Sequence, residues 1–97
     1  ALLIVYVGVG ILEMIIRESL GVMLKKINRE VALVEARLQR MALRLGVGDW
    51  RELERLFAGK GIDNPEIDLL WPEYLYLKKR LEELGEKKKR VLAMLKG

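Results

Sequence analysis

Residues 20–45 read LGVMLKKINREVALVEARLQRMALRL, and this stretch decides the fold. Its apolar residues recur in alternating steps of four and three, at Leu20, Leu24, Ile27, Val31, Val34, Leu38, Met41 and Leu45. Such steps form a heptad register, which predicts a long helix whose apolar stripe packs against another helix. Neighbouring apolar residues such as Leu33 and Leu43 widen the stripe toward the broad face of a helix in a bundle.

A second heptad stripe follows near the end of the chain. Its positions are Ile67, Leu70, Tyr74, Leu77, Leu81, Leu84, Lys88, Val91 and Leu95. Asn64 and Pro65 are typical of a helix start, so the pattern predicts a helix over 65–96. Pro72 predicts either a kink in this helix or a short helix that restarts at Pro72. Lys88 occupies a seam position, where a splayed end or a snorkelling stem would accommodate it.

The connector between the stripes predicts a short helix. Gly46 and Gly48 end the first long helix, assigned to residues 17–45. Asp49 and Glu52 have the spacing of a capping box, which predicts a helix over 49–58. Since residues 20–45 and residues 70–95 each extend for about 38 Å at the helical rise, we expect an antiparallel hairpin with the short helix as its cap.

The N-terminal segment, residues 1–16, is apolar except for Glu13. Residues 1–10 could form a buried strand, a helix or a truncated membrane anchor, because periodicity does not separate these. No basic stretch precedes the segment, which disfavours a signal peptide. The run is interrupted at Glu13 and closed by Arg17, short of the roughly 20 apolar residues of a span. We therefore do not expect a membrane partner.

These patterns predict an all-α protein with a single helical domain over residues 1–97. Two helices leave part of each broad apolar face uncovered, so we expect self-association into a multi-helix bundle, with a dimer favoured. The residues predicted to form the self-association seam are Leu24, Ile27, Val31, Val34, Leu38, Leu77, Leu81 and Leu84.

Composition excludes several classes of function. Of the 97 residues, 52% are hydrophobic and 33% charged, and Cys and His are absent. Disulfides, thiolate zinc sites and imidazole catalysis are therefore excluded, and Ser19 is the lone serine. We expect no enzyme activity and no cofactor. The charged, Asn- and Gln-poor composition is typical of heat-adapted intracellular proteins, so we expect a cytoplasmic location.

The aromatic residues gather in the connector and the turn after it. They are Trp50, Phe57, Trp71, Tyr74 and Tyr76. One interpretation makes them the packed cap of the hairpin. The other makes them a binding site for a protein partner, since Trp and Tyr dominate binding energy at interfaces. Because residues 49–75 hold seven acidic and three basic side chains, such a partner would be basic.

Basic side chains suggest nucleic acid as an alternative partner. The candidates are Arg37, Arg40, Arg44, Lys87, Lys88, Lys89 and Arg90. Acidic residues interleave with them, which favours solvated helix faces instead. A helix-turn-helix reading of the 49–58 helix is disfavoured, because Arg51, Glu52, Glu54 and Arg55 make a nearly neutral face that lacks Asn, Gln, Ser and Thr.

The acidic connector contains Asp63, Glu66, Asp68 and Glu73, the one carboxylate cluster of the sequence. The spacing is not that of an EF-hand, and acidic residues at a helix start stabilise the helix dipole. We expect capping rather than metal binding. The sequence as a whole predicts a small, non-catalytic, oligomerising interaction module, similar to adaptors or antitoxins by analogy of fold alone.

Overall fold

The computed structural model describes residues 2–60 and 65–97. Helix α1 covers Leu2–Arg44, a 3₁₀ turn covers Trp50–Glu52, α2 covers Leu53–Lys60 and α3 covers Pro65–Lys96. The described residues contain no strand, and the predicted all-α hairpin with a short connecting helix is confirmed. The predicted cap at Asn64 and the carboxylate of Asp63 lie outside the described residues.

Helices α1 and α3 pack side by side in opposite directions. Arg80 of α3 pairs with Glu30 of α1, and Glu66 near the start of α3 pairs with Arg44 at the end of α1. In both pairs the two residue numbers add up to 110. A residue of α1 therefore lies level with the residue of α3 whose number is 110 minus its own, as in an antiparallel hairpin. The molecule extends for 74 Å and is 17 Å across in both other directions.

Helix α1 begins at Leu2, so the segment predicted separately over residues 1–16 continues into the long helix without a break. Among the readings left open for residues 2–10, the structure has the helix. No helix in the described part of the chain carries an apolar stretch long enough to cross a membrane.

Helix α3 is continuous through Pro72. A separate short helix that restarts at Pro72, one of the two predicted alternatives, therefore does not form. Proline removes one N–H donor from the helix ladder, which leaves the carbonyl of Asp68 without its usual partner. The heptad contacts on both sides of Pro72, at Ile67 and Tyr74, are buried and hold the two turns together.

The end of α1 follows from one glycine. Gly46 has a φ of 79°, which residues with a Cβ rarely adopt. Val47 N–H donates to the Ala42 carbonyl at 2.8 Å and Gly46 N–H to the Leu43 carbonyl at 3.1 Å, the two bonds of a Schellman motif. Three residues later the Asp49 side chain accepts the Arg51 N–H at 3.0 Å and starts the 3₁₀ turn.

The core combines the two heptad stripes with Ala42 of α1 and with Leu53 and Phe57 of α2. Its buried residues are Leu20, Ile27, Val34, Leu38, Met41, Ala42, Leu53, Phe57, Ile67, Tyr74, Leu77, Leu84 and Val91. Every predicted heptad position is buried or half-buried except Lys88, which is exposed. Leu38 and Leu84 are completely excluded from solvent, one from each long helix.

Candidate interaction surfaces

Helix α2 packs on one side of the hairpin and covers only the connector end. Phe57 of α2 stacks on Tyr74 of α3, which marks that side. Leu81 lies seven residues beyond Tyr74, or about two turns, and Leu92 lies 18 residues beyond it, or five full turns. Whole turns return a side chain to the same side of the helix, so both residues lie on the side of α3 that Tyr74 marks. Leu81 is half-buried and Leu92 is exposed, because α2 does not reach them.

The same side of α1 is marked by Gln39. Its Nε2 donates to the Gly48 carbonyl at 2.9 Å and its Oε1 accepts the Trp50 N–H at 3.1 Å, which ties the loop before α2 to the hairpin. Leu24 and Val31 border the core stripe on this side and are half-buried. We call the set Leu24, Val31, Leu81 and Leu92 the open face.

The structure divides the eight predicted seam residues. Ile27, Val34, Leu38, Leu77 and Leu84 are buried between α1 and α3 of one chain. Leu24, Val31 and Leu81 pack against that core but stay partly exposed on the open face. Only this second group is available to another copy of the chain without opening the hairpin.

Three of the five aromatic residues form a cluster. The Phe57 and Tyr74 ring centroids are 4.5 Å apart, those of Phe57 and Trp71 are 5.3 Å apart, and those of Trp71 and Tyr74 are 5.8 Å apart. Phe57 and Tyr74 are buried, whereas Trp71 is 41% exposed. Burial, followed by the nearby Glu54 carboxylate, raises the pKa of Tyr74 above its ordinary value of 10.0.

Trp50 and Tyr76 lie outside this cluster. The half-buried Trp50 ring carries the Arg51 guanidinium 5.0 Å from its centroid, and the backbone of Trp50 is held by Gln39. Tyr76 is exposed and follows Tyr74 by two residues, so it leaves α3 on nearly the opposite side.

A groove of about 490 Å³ runs beside the cluster, between α2 and α3. Trp71 and Leu75 supply its exposed apolar surface. Glu54 and Lys78 line it too and approach each other to 3.9 Å. We call it the aromatic groove. Sequence reasoning missed Leu75, although the apolar residue four positions after Trp71 was the available signal.

The other side of the hairpin is charged. Arg80 Nη2 lies 2.8 Å from Glu30 Oε2, and Arg44 Nε lies 2.6 Å from Glu66 Oε1. Arg37, Arg40 and Arg44 line a cavity of about 290 Å³ at the connector end of this side.

The second predicted basic set lies at the other end of the hairpin. Lys87 and Arg90 line a cavity of about 430 Å³ together with Lys26. Glu73 lines the cavity at the connector end, and it is separated from Lys87 by 14 residues of α3, or about 21 Å. Lys88 and Lys89 are exposed, and Lys89 lies 3.9 Å from Glu86. The seven candidate nucleic-acid residues therefore form two separate groups.

The described acidic residues of the connector do not converge. Glu66 pairs with Arg44, and within residues 2–60 and 65–97 no group of three or more His, Cys, Asp or Glu is placed to hold a metal ion. Asp63, the remaining member of the predicted cluster, lies outside these ranges.

Comparison with known proteins finds no matching family model, no similar curated protein and no similar solved structure.

Proposed function

We propose that this protein is a small, non-catalytic helical interaction module that self-associates, with a dimer favoured, and binds a protein partner in the manner of an adaptor or antitoxin. The observation that carries the proposal is the open face. Leu24, Val31 and Leu81 are only partly buried at the edge of the core, and Leu92 is exposed on the same side of the hairpin.

A two-fold dimer would cover this face with its own counterpart. In such an interface the same residues of each copy meet, and two hairpins together make a four-helix bundle. Burying a leucine or valine that starts partly exposed contributes about 1–2 kcal/mol, so three leucines and one valine on each copy give the interface a substantial apolar contribution.

The aromatic groove is the proposed site for a protein partner. Trp71 and Leu75 offer an exposed apolar anchor, and the rings of Phe57 and Tyr74 hold Trp71 in place. Because residues 49–75 carry a net negative charge, the proposed partner is a basic segment with an apolar side chain for the groove.

The self-association is tested by Leu81→Asp, with Leu33→Asp as the matched control. Both variants replace a leucine of a long helix by a charged residue. Leu33 is a suitable control because it is 61% exposed and lies away from the open face. We expect light scattering to give the monomer mass for Leu81→Asp and the wild-type dimer mass for Leu33→Asp, with helicity retained in both. A wild-type mass for Leu81→Asp would contradict the proposed interface.

The second candidate function is nucleic-acid binding, which the two basic cavities favour. Phosphate contacts make affinity fall steeply with salt, so retention on duplex DNA and single-stranded RNA at about 50 mM and about 500 mM salt separates the candidates. Strong binding that disappears at high salt supports the second candidate. No binding at low salt removes it.

The proposed setting is the cytoplasm of a heat-adapted organism. The charge-rich, cysteine-free composition supports it. A melting temperature above the roughly 45–65 °C of ordinary domains is the expected result, and a midpoint inside that range would contradict heat adaptation.

A further inference from the structure

Helix α1 is longer than the helix it packs against. In the register set by the Glu30–Arg80 and Arg44–Glu66 pairs, Lys96 at the end of α3 lies level with residue 14 of α1. Residues 2–13 therefore extend past α3 by about 18 Å. We call residues 2–16 the arm.

The arm is apolar on more than one side. Its large described side chains, Ile11, Leu12, Met14, Ile15 and Ile16, are between 52% and 65% exposed. At 100° per residue these five point to at least three sides of the helix, and residues 2–12 contain no charged residue. A helix that is apolar around its circumference requires an apolar environment around it, not one matching stripe.

Basic side chains surround the base of the arm. Residues 17–29 and 86–97, which the hairpin brings to the same end, hold nine Lys and Arg and only two Glu. Lys26, Lys87 and Arg90 line one cavity there beside the exposed Met23 and Met94. We call these two ranges the basic collar.

From this juxtaposition we infer that residues 2–12 of the arm insert into an anionic lipid membrane, with Glu13 and the basic collar at the level of the headgroups. Residues 2–12 form about 16 Å of helix without a charged side chain, the kind of surface that the hydrocarbon of a bilayer accepts. An apolar segment combined with a basic cluster is the two-part signal that anchors proteins at anionic membranes.

A second copy is the less suitable occupant. Pairing two arms would cover only one side of each arm and leave the other sides exposed. Lipid covers every side and supplies the opposite charge. The inference goes beyond the proposed function, because it orients the module with its acidic, aromatic end away from the membrane. It also departs from the expectation drawn from the sequence, which excluded a membrane partner because the apolar run is too short to span a bilayer.

The inference is tested by sedimentation with vesicles of phosphatidylcholine alone and of phosphatidylcholine mixed with phosphatidylglycerol. We expect the chain to sediment with the anionic vesicles and not with the neutral ones. Leu12→Glu should abolish binding, whereas Leu33→Glu, at a site of equal exposure on the same helix, should leave it unchanged. Absence of binding, or equal binding by Leu12→Glu, would overturn the inference.

Charge is tested with two triple variants of equal net charge. Lys87→Gln, Lys88→Gln and Lys89→Gln together should weaken binding on the order of 100-fold, at about fivefold for each charge near the surface. Arg37→Gln, Arg40→Gln and Arg55→Gln, at the far end, should have little effect. Equal losses in the two triple variants would show binding by net charge alone and overturn the placement of the collar.

Insertion is tested with a fluorescent label. Because the chain has no cysteine, Ile11→Cys and Leu33→Cys each create one site for an environment-sensitive dye. A blue shift with anionic vesicles is expected for Ile11→Cys alone. The inference would be overturned by two results together: no blue shift with vesicles, and an oligomer mass in the absence of vesicles that Leu12→Glu reduces. Those results would assign the arm to contact with a second copy of the chain.

Discussion

Arg80 of α3 donates a 2.8 Å charged hydrogen bond to Glu30 of α1, near the middle of the hairpin. The two side chains are 31% and 35% exposed, so this pair is less screened than the other ion pairs of the described residues. It lies in the same register as the buried heptad residues, the register in which α1 extends past α3.

We expect Glu30→Gln to lower the free energy of unfolding by about 0.5–1 kcal/mol, the upper part of the range for pairs at a surface. A double-mutant cycle with Arg80→Gln in urea measures the coupling. The exposed Glu86–Lys89 pair, 3.9 Å apart, is the control and should show no measurable coupling. Equal coupling in both pairs would contradict the importance of the central one.

Leu38→Ala and Leu84→Ala should each destabilise the protein by about 3 kcal/mol. Both side chains are fully excluded from solvent, so truncation removes buried surface and leaves a cavity between the long helices. Leu33→Ala, at an exposed site of α1, should change the free energy of unfolding by less than about 0.5 kcal/mol. Chemical denaturation measures all three, and a cost below about 1 kcal/mol at Leu38 would contradict the packing.

The same substitution should have opposite effects at two glycines. Gly46→Ala places a Cβ on a residue with a φ of 79°, which should cost about 1 kcal/mol. Gly85→Ala lies inside α3, where the added Cβ would meet no atom within 4 Å beyond the adjacent residues and backbone of its own helix, so better helix propensity should stabilise the protein by about 0.5–1 kcal/mol. Thermal melting distinguishes them, and two shifts of the same sign would contradict this account of the α1 end.

Stability should fall at high pH in part through Tyr74. Burial raises its folded pKa, so the neutral phenol stabilises the fold below the unfolded pKa near 10.0, and this contribution is lost as pH rises toward the folded pKa. Tyr74→Phe should therefore flatten the decline in unfolding free energy above about pH 10. Tyr76→Phe, at an exposed site, is the control. An unchanged decline in Tyr74→Phe would contradict the predicted linkage.

The sequence was sufficient for the two heptad stripes and their core, because heptad spacing determines which side of a helix is apolar, but it did not determine that α1 already begins at Leu2. It could not say which chain supplies the opposing helix. Leu24 and Ile27 belong to one stripe, yet Ile27 is buried inside the hairpin and Leu24 borders the open face. That distinction depends on the crossing of α1 and α3, which spacing alone does not specify.

The aromatic prediction shows a different limit. Tyr74 and Tyr76 are two residues apart, and helical geometry alone separates them, so sequence could have excluded Tyr76 from the cluster. The side on which α2 packs could not be predicted. It involves tertiary contacts that spacing does not reveal, among them the burial of Leu53 and Phe57 and the hydrogen bonds of the Gln39 amide to the Gly48 carbonyl and the Trp50 N–H.

Sedimentation equilibrium of the wild-type chain at concentrations from about 1 to 100 μM tests the central claim most directly, since dimerisation follows mass action. The proposed module should give a mass of twice the 11.2 kDa chain over most of that range. A folded species of 11.2 kDa at every concentration would contradict it.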